Sequence, residues 1–321
     1  MNEFKNLISL LESPNKENFS LGLVVAQNYK KEILEYFGCE LEELEELAEF
    51  LEENNIKALL NAKSLYLRQQ KAQVLPKSIH ILKKIKVLNL KCTDLQNFPA
   101  EIVNFTNLQE LDLGDNKLKN IPKEIGNLAN LCRLYLDGNQ LKSLPTEIIN
   151  LVNLGVLYLN DNELQNIPAE ISNLLSLESL YLENNQLQSI PKEISNLLNL
   201  KNLYLQNNQL KNIPIEIAYL TNLQALCLSD NELQNIPAEI SNLLSLKSLY
   251  LQNNKLQNIP IEIANFTKMK YLCLQNNQLK TIPTEIGCLT NLRELDISNN
   301  QIPQSEIENI KKMLPNCNVI T

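Results

Sequence analysis

The sequence predicts an α/β solenoid, with a curved parallel β-sheet on its concave side and short helical or 3₁₀ turns on its convex side. Ten prolines recur at intervals of 23 residues, from Pro76 to Pro283. Within each interval two leucines flank a single residue, as Leu111 and Leu113 flank Asp112, which is the period of a β-strand. A fixed period in the twenties indicates one small unit stacked many times. The N-terminal 61 residues do not repeat and are predicted to form a helical cap.

The predicted cap, residues 1–61, is the acidic part of the chain. It holds 13 glutamates and five lysines, a net charge of −8, whereas residues 62–321 are neutral overall. We expect helices over about 3–11, over 20–37 with Gly38 as the C-cap, and over 41–53, where leucines form one stripe. Such a cap would cover the first edge of the sheet, which would otherwise invite aggregation.

Each repeat is predicted to contain one strand and one turn. The unit that begins at Leu108 reads LQELDLGDNKLKNIPKEIGNLAN, and the shared frame is LxxLxLxxNxLxxIPxEIxNLxN. Strands that are equivalent by repeat must pair in parallel, so we expect eleven parallel strands. Pro122 suits the start of a short helical turn, and Ile125 and Leu128 would share its inward face.

The frame resembles that of the leucine-rich repeat family, whose signature is L-x-x-L-x-L-x-x-N-x-L. About eleven units fit from Ala62 onward. The form with IPxEI is similar to repeats of bacterial proteins and of intracellular Ras-interacting or scribble-type proteins. The resemblance implies a solenoid over residues 62–303 and a C-terminal cap over 304–321. Within this cap we expect a helix from about Ser305 to Met313, followed by a last apolar stub at Val319 and Ile320. It also implies that the frame asparagines, such as Asn116, lie inside and bond to the backbone. Gln70 and Thr93 replace that asparagine in the first two units, as expected near the end of an array.

A glutamate stands two residues after nine of the prolines, as Glu124 follows Pro122. Nine aligned carboxylates could indicate a cation site. The alternative is a structural carboxylate near the free N–H groups at the start of each turn. We predict no metal and no cofactor.

The composition argues against an enzyme and against a nucleic-acid-binding protein. His80 is the only histidine, the chain has only seven glycines, and we find neither a glycine-rich phosphate loop nor metal-ligand spacing. We therefore assign no catalytic residue. The neutral repeats lack the basic footprint that nucleic acids require.

The expected location is the cytoplasm. The seven cysteines are scattered without a CxxC pair, which favours reduced thiols. We find no signal-peptide pattern and no transmembrane span, and we expect a monomer that does not bind membranes.

The candidate binding residues lie on the concave face. The residue between the two strand leucines is tyrosine in four successive units, at Tyr135, Tyr158, Tyr181 and Tyr204. Tyr250 follows in a later unit, and Tyr271 lies one strand position away from the column. The flanking positions are mixed and mostly uncharged, and we select from them Arg133, Asp137, Glu183 and Gln206. Tyrosine recurs at binding hot spots, but it also has high strand propensity and could have been copied with the unit.

A duplicated block bears on the same surface. Residues 161–187 recur at 230–256 with only three differences, all of which change charge. These differences are Glu178/Lys247, Glu183/Gln252 and Gln186/Lys255. They fit the adjustment of a recognition surface, and they fit equally the tolerance of exposed positions.

The sequence therefore predicts a non-enzymatic interaction module that binds an unidentified protein on the concave face. One alternative is a regulatory scaffold that acts through the acidic cap. Another is a bacterial effector without a leader sequence, acting on a host protein.

Overall fold

The computed structural model describes residues 2–13, 15–37, 40–51, 60–67 and 75–321. Gly38, the predicted C-cap of the second helix, lies outside the described residues. Gln70, which replaces the frame asparagine in the first unit, also lies outside them. The described chain consists of an N-terminal helical cap, a stack of strands and 3₁₀ turns, and a C-terminal helix with a last strand.

The cap contains four described helices where three were predicted. They are α1 (Asn2–Leu11), α2 (Lys16–Ala26), α3 (Lys30–Phe37) and α4 (Leu41–Leu51). The single helix predicted over 20–37 is wrong, because the chain turns between α2 and α3. The N–H of Asn28 bonds to the carbonyl of Val25 at 3.2 Å, which closes α2. Asparagine favours such turns over a helix interior because its side chain competes for backbone hydrogen bonds.

The helical cap contacts the 3₁₀ turn of the first repeat. The leucine stripe of α4 is buried, with Leu44 and Leu47 fully inaccessible to solvent. Two glutamates of α4 contact the first 3₁₀ turn: Glu46 Oε2 accepts a hydrogen bond from the N–H of Ser78 at 3.3 Å, and Glu43 Oε1 lies 3.4 Å from His80 Nε2. The single histidine therefore joins the cap to the array.

The strands of the described residues form one open sheet of twelve parallel strands in sequence order. The strands are β1 (Ser64–Tyr66), β2 (Val87–Asn89), β3 (Glu110–Asp112), β4 (Arg133–Tyr135), β5 (Val156–Tyr158), β6 (Ser179–Tyr181), β7 (Asn202–Tyr204), β8 (Ala225–Cys227), β9 (Ser248–Tyr250), β10 (Tyr271–Cys273), β11 (Glu294–Asp296) and β12 (Asn318–Ile320). Equivalent residues of successive repeats pair directly, as Leu134 pairs with Leu157. This register confirms the parallel stack predicted from the 23-residue period.

The twelfth strand was predicted only as an apolar stub. After α5 (Gln304–Met313), which matches the predicted C-terminal helix, the chain returns and pairs along β11. The N–H of Ile297 bonds to the carbonyl of Ile320 at 3.0 Å, and the N–H of Asn318 bonds to the carbonyl of Arg293 at 2.8 Å. The strand thus satisfies backbone groups that an edge at β11 would expose.

A five-residue 3₁₀ turn returns the chain between each pair of strands from β1 to β11. The ten turns span Lys77–Ile81, Ala100–Asn104, Lys123–Asn127, Thr146–Asn150, Ala169–Asn173, Lys192–Asn196, Ile215–Tyr219, Ala238–Asn242, Ile261–Asn265 and Thr284–Cys288. Each proline stands immediately before its turn. The carbonyl of Pro122, for example, accepts the N–H of Ile125 at 3.1 Å. Ile125 and Leu128 are fully buried, as predicted.

The frame asparagines form a buried ladder between repeats. Asn139 Nδ2 donates to the carbonyls of Leu136 at 3.1 Å and of Leu113, in the preceding repeat, at 3.0 Å. Its Oδ1 accepts the N–H of Leu118 at 3.0 Å. The inside position implied by the resemblance is therefore confirmed. Thr93, at the same frame position, bonds through its hydroxyl to the carbonyl of Leu90 at 2.7 Å.

Candidate protein-binding site

In each strand, the residue between the two leucines points away from the buried side of the sheet. Leu134 and Leu136 are fully buried, whereas Tyr135 between them is half-buried and reaches the opposite side of the sheet. Alternation along a strand produces this arrangement. The pairing register then aligns Tyr135, Tyr158, Tyr181 and Tyr204 across β4 to β7. We call the outward surface of the sheet, which includes these four side chains, the tyrosine face, and we call its part from β1 to β6 the N-terminal half.

The four tyrosine rings stack face to face. The ring centroids of Tyr135 and Tyr158 lie 4.8 Å apart, those of Tyr158 and Tyr181 4.2 Å, and those of Tyr181 and Tyr204 4.9 Å. The planes of each pair lie within 9° of parallel. Because each ring holds the next, the stack is a preformed aromatic surface about 15 Å long at the strand spacing of about 4.8 Å.

Tyr250 and Tyr271 lie on the same side of the sheet but outside the stack. Cys227 occupies the position of the tyrosine in β8, and it pairs in register with Tyr204 on one side and Tyr250 on the other. Tyr271 is the first residue of β10 and pairs in register with Ser248 rather than with Tyr250. The structure therefore brings together four of the six predicted tyrosines.

Two predicted polar residues of the site are engaged in ion pairs. The guanidinium of Arg133 lies 3.3 Å from Glu110 Oε2 on the neighbouring strand. Asp137 Oδ2 lies 3.2 Å from Lys91 Nζ, which also lies 3.0 Å from Asp115 Oδ2. The hydrogen bonds of Lys91 to Asp115 and Asp137 raise its pKa, although partial burial alone would lower it.

The other two predicted polar residues, Glu183 and Gln206, each have a buried oxygen atom to which no described residue donates a hydrogen bond. Glu183 Oε2 and Gln206 Oε1 are inaccessible to solvent and accept no hydrogen bond within the described residues, and the same holds for Asn160 Oδ1. These three residues follow β5, β6 and β7 at equivalent positions. Burial raises the pKa of Glu183, and the nearby carboxylates of Asp161 and Asp137 raise it further.

Sequence profiles and solved structures show to which proteins this chain is similar. A profile described as "Leucine-rich repeat region" matches residues 182–320, and one described as "Leucine rich repeat" matches 83–141, 129–187 and 152–210. The structure of a leucine-rich repeat protein of Leptospira interrogans is 37% identical, covers 83% of this chain and 86% of that chain, and has a TM-score of 0.54. The chain belongs to the leucine-rich repeat family.

Two further leucine-rich structures have the same fold. An internalin of Listeria monocytogenes is 23% identical over 86% of this chain and 87% of its own, with a TM-score of 0.69. A chain from the octameric complex of Latrophilin 3, Unc5D and the leucine-rich repeat of FLRT2 is 25% identical over 81% and 83%, with a TM-score of 0.69. No curated protein sequence matches the chain.

The N-terminal half of the tyrosine face is more acidic than the sequence led us to expect. The flanking positions considered in the sequence were mostly uncharged, but they did not include those of β3, which carries Glu110 and Asp112. A depression of about 560 Å³ on this half of the leucine-rich sheet is lined by eleven residues. They are Tyr66, Asn89, Lys91, Glu110, Asp112, Tyr135, Asp137, Tyr158, Asn160, Tyr181 and Glu183.

Lys91, Glu110 and Asp115 were missed because the sequence was searched around the tyrosines. Lys91 and Asp137 are 46 positions apart and meet only because the lysine side chain reaches across β3, from the end of β2 to the end of β4. Counting charges by frame position, repeat by repeat, would have found this acidic half. Asp112, in the tyrosine column itself, is buried and accepts hydrogen bonds from Asn89 Nδ2 at 2.6 Å and from the N–H of Gly114 at 3.0 Å.

The described part of the leucine-rich chain contains neither a cluster of metal-binding side chains nor a disulfide bond. Within it, no group of three or more histidine, cysteine, aspartate or glutamate side chains is arranged to hold a metal ion. The six cysteines in the described ranges are free thiols. None of the described helices is long and apolar enough to cross a bilayer.

Proposed function

We propose that this leucine-rich repeat protein is a non-enzymatic module that binds a protein partner on the tyrosine face. This is the surface predicted from the sequence to be concave. The observation that carries the proposal is the stack of Tyr135, Tyr158, Tyr181 and Tyr204. Stacked rings have already lost much of their side-chain freedom, so a partner that packs on them does not have to order them. Tyrosine also combines a large apolar area with a polar tip, which suits a binding hot spot.

The polar residues around the stack support a protein partner. Glu183, Gln206 and Asn160 are partly exposed polar side chains beside the stack, so they are placed to form hydrogen bonds with a partner. A large apolar centre with polar groups at its rim is the usual arrangement of a protein interface. One similar structure, which contains the leucine-rich repeat of FLRT2, is itself a complex of several proteins.

We further propose that the protein works in the cytoplasm as a monomer, without a nucleic-acid or membrane partner. The free thiols of the described cysteines favour a reducing compartment. The balanced charge of the repeats disfavours a phosphate-rich partner.

A capture experiment with matched variants tests the binding site. The variant Tyr158→Ala/Tyr181→Ala removes the middle of the stack. The control Tyr219→Ala removes a tyrosine that is 63% exposed on a 3₁₀ turn, outside the sheet. We expect the wild-type chain and the control to capture the same protein from a lysate, identified by mass spectrometry, and the double variant to lose it. Equal capture by the double variant would refute the site. Circular dichroism must show that all three chains are folded.

A second candidate, a scaffold that works through the helical cap, is favoured by exposed apolar side chains on α2 and α3. Leu21, Val24 and Leu34 are 54%, 70% and 48% exposed. Replacing Leu21 and Val24 by serine leaves the buried side of α2 unchanged. If this variant loses the captured protein while the tyrosine variant retains it, the cap is the working surface.

A further inference from the structure

Charge is distributed unevenly along the sheet. Four acidic residues and one lysine line the depression on the N-terminal half of the tyrosine face. At the frame position of Glu183, the next repeats carry Gln206, Ser229, Gln252 and Gln275, none of which is charged. The negative charge beside the tyrosine stack therefore lies on its N-terminal side, and the next outward acidic pair, Glu294 and Asp296, is on β11 at the far end of the sheet.

Two positive side chains described on this half, those of Lys91 and Arg133, are already engaged with carboxylates. Lys91 lies between Asp115 and Asp137, and Arg133 contacts Glu110. Glu183 forms no ion pair within the described residues, and its Oε2 is buried without a donor. A buried carboxylate oxygen is costly to leave without a hydrogen bond. Among the described residues, Glu183 is therefore a carboxylate of this site that no cation balances.

Neighbouring groups determine what could approach Glu183. Asn160, one strand earlier, has a buried Oδ1 without a donor among the described residues, and both side chains line the depression beside Tyr158 and Tyr181. A ligand that fits must donate hydrogen bonds and carry positive charge. Its stem must also tolerate contact with tyrosine rings. A guanidinium or an ammonium group on an aliphatic side chain meets these requirements, and a guanidinium provides five N–H donors in one plane.

We propose that the partner presents a basic segment to the N-terminal half of the tyrosine face, with an arginine or lysine side chain beside Glu183 and Asn160. This inference rests on the proposed function and specifies the chemistry of the partner. Charge complementarity of this kind orients a partner on an extended surface and speeds association at low salt. It also excludes acidic partners, because like charges would face each other without solvent.

The duplicated block provides a conservative test variant. Glu183→Gln places at this position the residue that the chain itself carries at Gln252, so the fold already accepts the change. The matched control is Asp230→Asn, which also removes one negative charge and introduces the residue found at the equivalent positions Asn184 and Asn253. Asp230 lies outside the residues that line the depression.

The probes are 12-residue peptides selected from a random phage-displayed library on the immobilised full-length chain. We expect the selected peptides to be enriched in arginine and lysine. Fluorescence polarisation measures the Kd of these peptides. The Kd should rise about tenfold or more for Glu183→Gln, which is the size expected for the loss of one charge-assisted hydrogen bond. The Kd should stay unchanged for Asp230→Asn. Peptides in which citrulline replaces arginine, or acetyllysine replaces lysine, should lose the same affinity on the wild-type chain.

The outcomes separate this inference from the proposed function. Selected peptides that are not enriched in basic residues, or that bind Glu183→Gln as well as the wild-type chain, would overturn the basic partner. If those peptides still lose affinity for Tyr158→Ala/Tyr181→Ala, the tyrosine face remains a binding site. Binding that is unaffected by the tyrosine variant, or a library that yields no binding peptide, would count against both.

Discussion

The rings of Tyr158 and Tyr181 lie with their centroids 4.2 Å apart and their planes 6° from parallel. Each ring also stacks on its other neighbour, Tyr135 or Tyr204. The tyrosines are therefore part of the packing of the sheet as well as a surface for a partner. A variant that removes a ring changes both stability and binding, and the two effects must be measured separately.

We predict that Tyr181→Ala lowers the free energy of unfolding by about 1–3 kcal/mol, because it removes two stacked pairs worth about 0.5–1.5 kcal/mol each. Tyr181→Phe retains both stacks and should cost less than about 1 kcal/mol, since only a partly exposed hydroxyl is lost. Urea unfolding followed by circular dichroism measures both values. Equal losses for the two variants would show that the hydroxyl, and not the stacking, stabilises this region.

Much of the fold could be predicted because every repeat places the same residue types in the same environment. Leu134, Asn139 and Pro145 each satisfy one requirement of the unit, and their recurrence identifies strand, ladder and turn. The break between α2 and α3 was missed since residues 21–25 are nearly all apolar and carry no clear helical period. β12 was missed because its three residues lack the Leu-x-Leu frame and find their place only by pairing with β11.

We predict that Asn162→Ala destabilises the protein by about 2–4 kcal/mol, because buried backbone groups lose their partners. Asn162 Nδ2 donates to the carbonyls of Leu136 at 2.9 Å and Leu159 at 3.1 Å, and its Oδ1 accepts the N–H of Leu141 at 3.0 Å. The control Asn196→Ala truncates an exposed asparagine at the end of a 3₁₀ turn and should stay within about 0.5 kcal/mol. Urea denaturation compares them, and similar losses would contradict a structural role of the ladder.

We predict that removal of residues 315–321 makes the protein self-associate, because it exposes the N–H and carbonyl groups of β11 that β12 now pairs. Sedimentation velocity at several concentrations should show oligomers for the truncated chain. The control Ile320→Asn changes a side chain that is 37% exposed but keeps the backbone of β12, so it should behave like the wild-type chain. A truncated chain that sediments as one species at all concentrations would contradict the edge-protecting role.

The candidate site was only partly accessible from the sequence. The spacing places Tyr135 to Tyr204 in one column, but it does not determine side-chain rotamers, so stacking could not be predicted. Likewise, the spacing does not show that Lys91 would be engaged by Asp115 and Asp137, which leaves Glu183 without a cation among the residues that the structure describes. Those contacts depend on which side chains reach across one or two strands, and only the structure provides that information.

We predict that Glu183→Gln raises the melting temperature at neutral pH. Burial raises the pKa of Glu183 in the folded chain above its usual value, so the folded state binds the proton more tightly than the unfolded state does. The ionised group therefore opposes folding as the pH rises through its folded pKa, and the wild-type chain regains stability as the pH falls toward the ordinary range for glutamate. Glutamine does not titrate, so the stability advantage of the variant should shrink on acidification.

Thermal unfolding of both chains between about pH 4 and pH 8 measures this difference, with Asp230→Asn as the control for general charge effects. An advantage that is independent of pH, or a variant less stable than the wild-type chain at pH 7, would show that the carboxylate of Glu183 is not the strained group inferred from its burial.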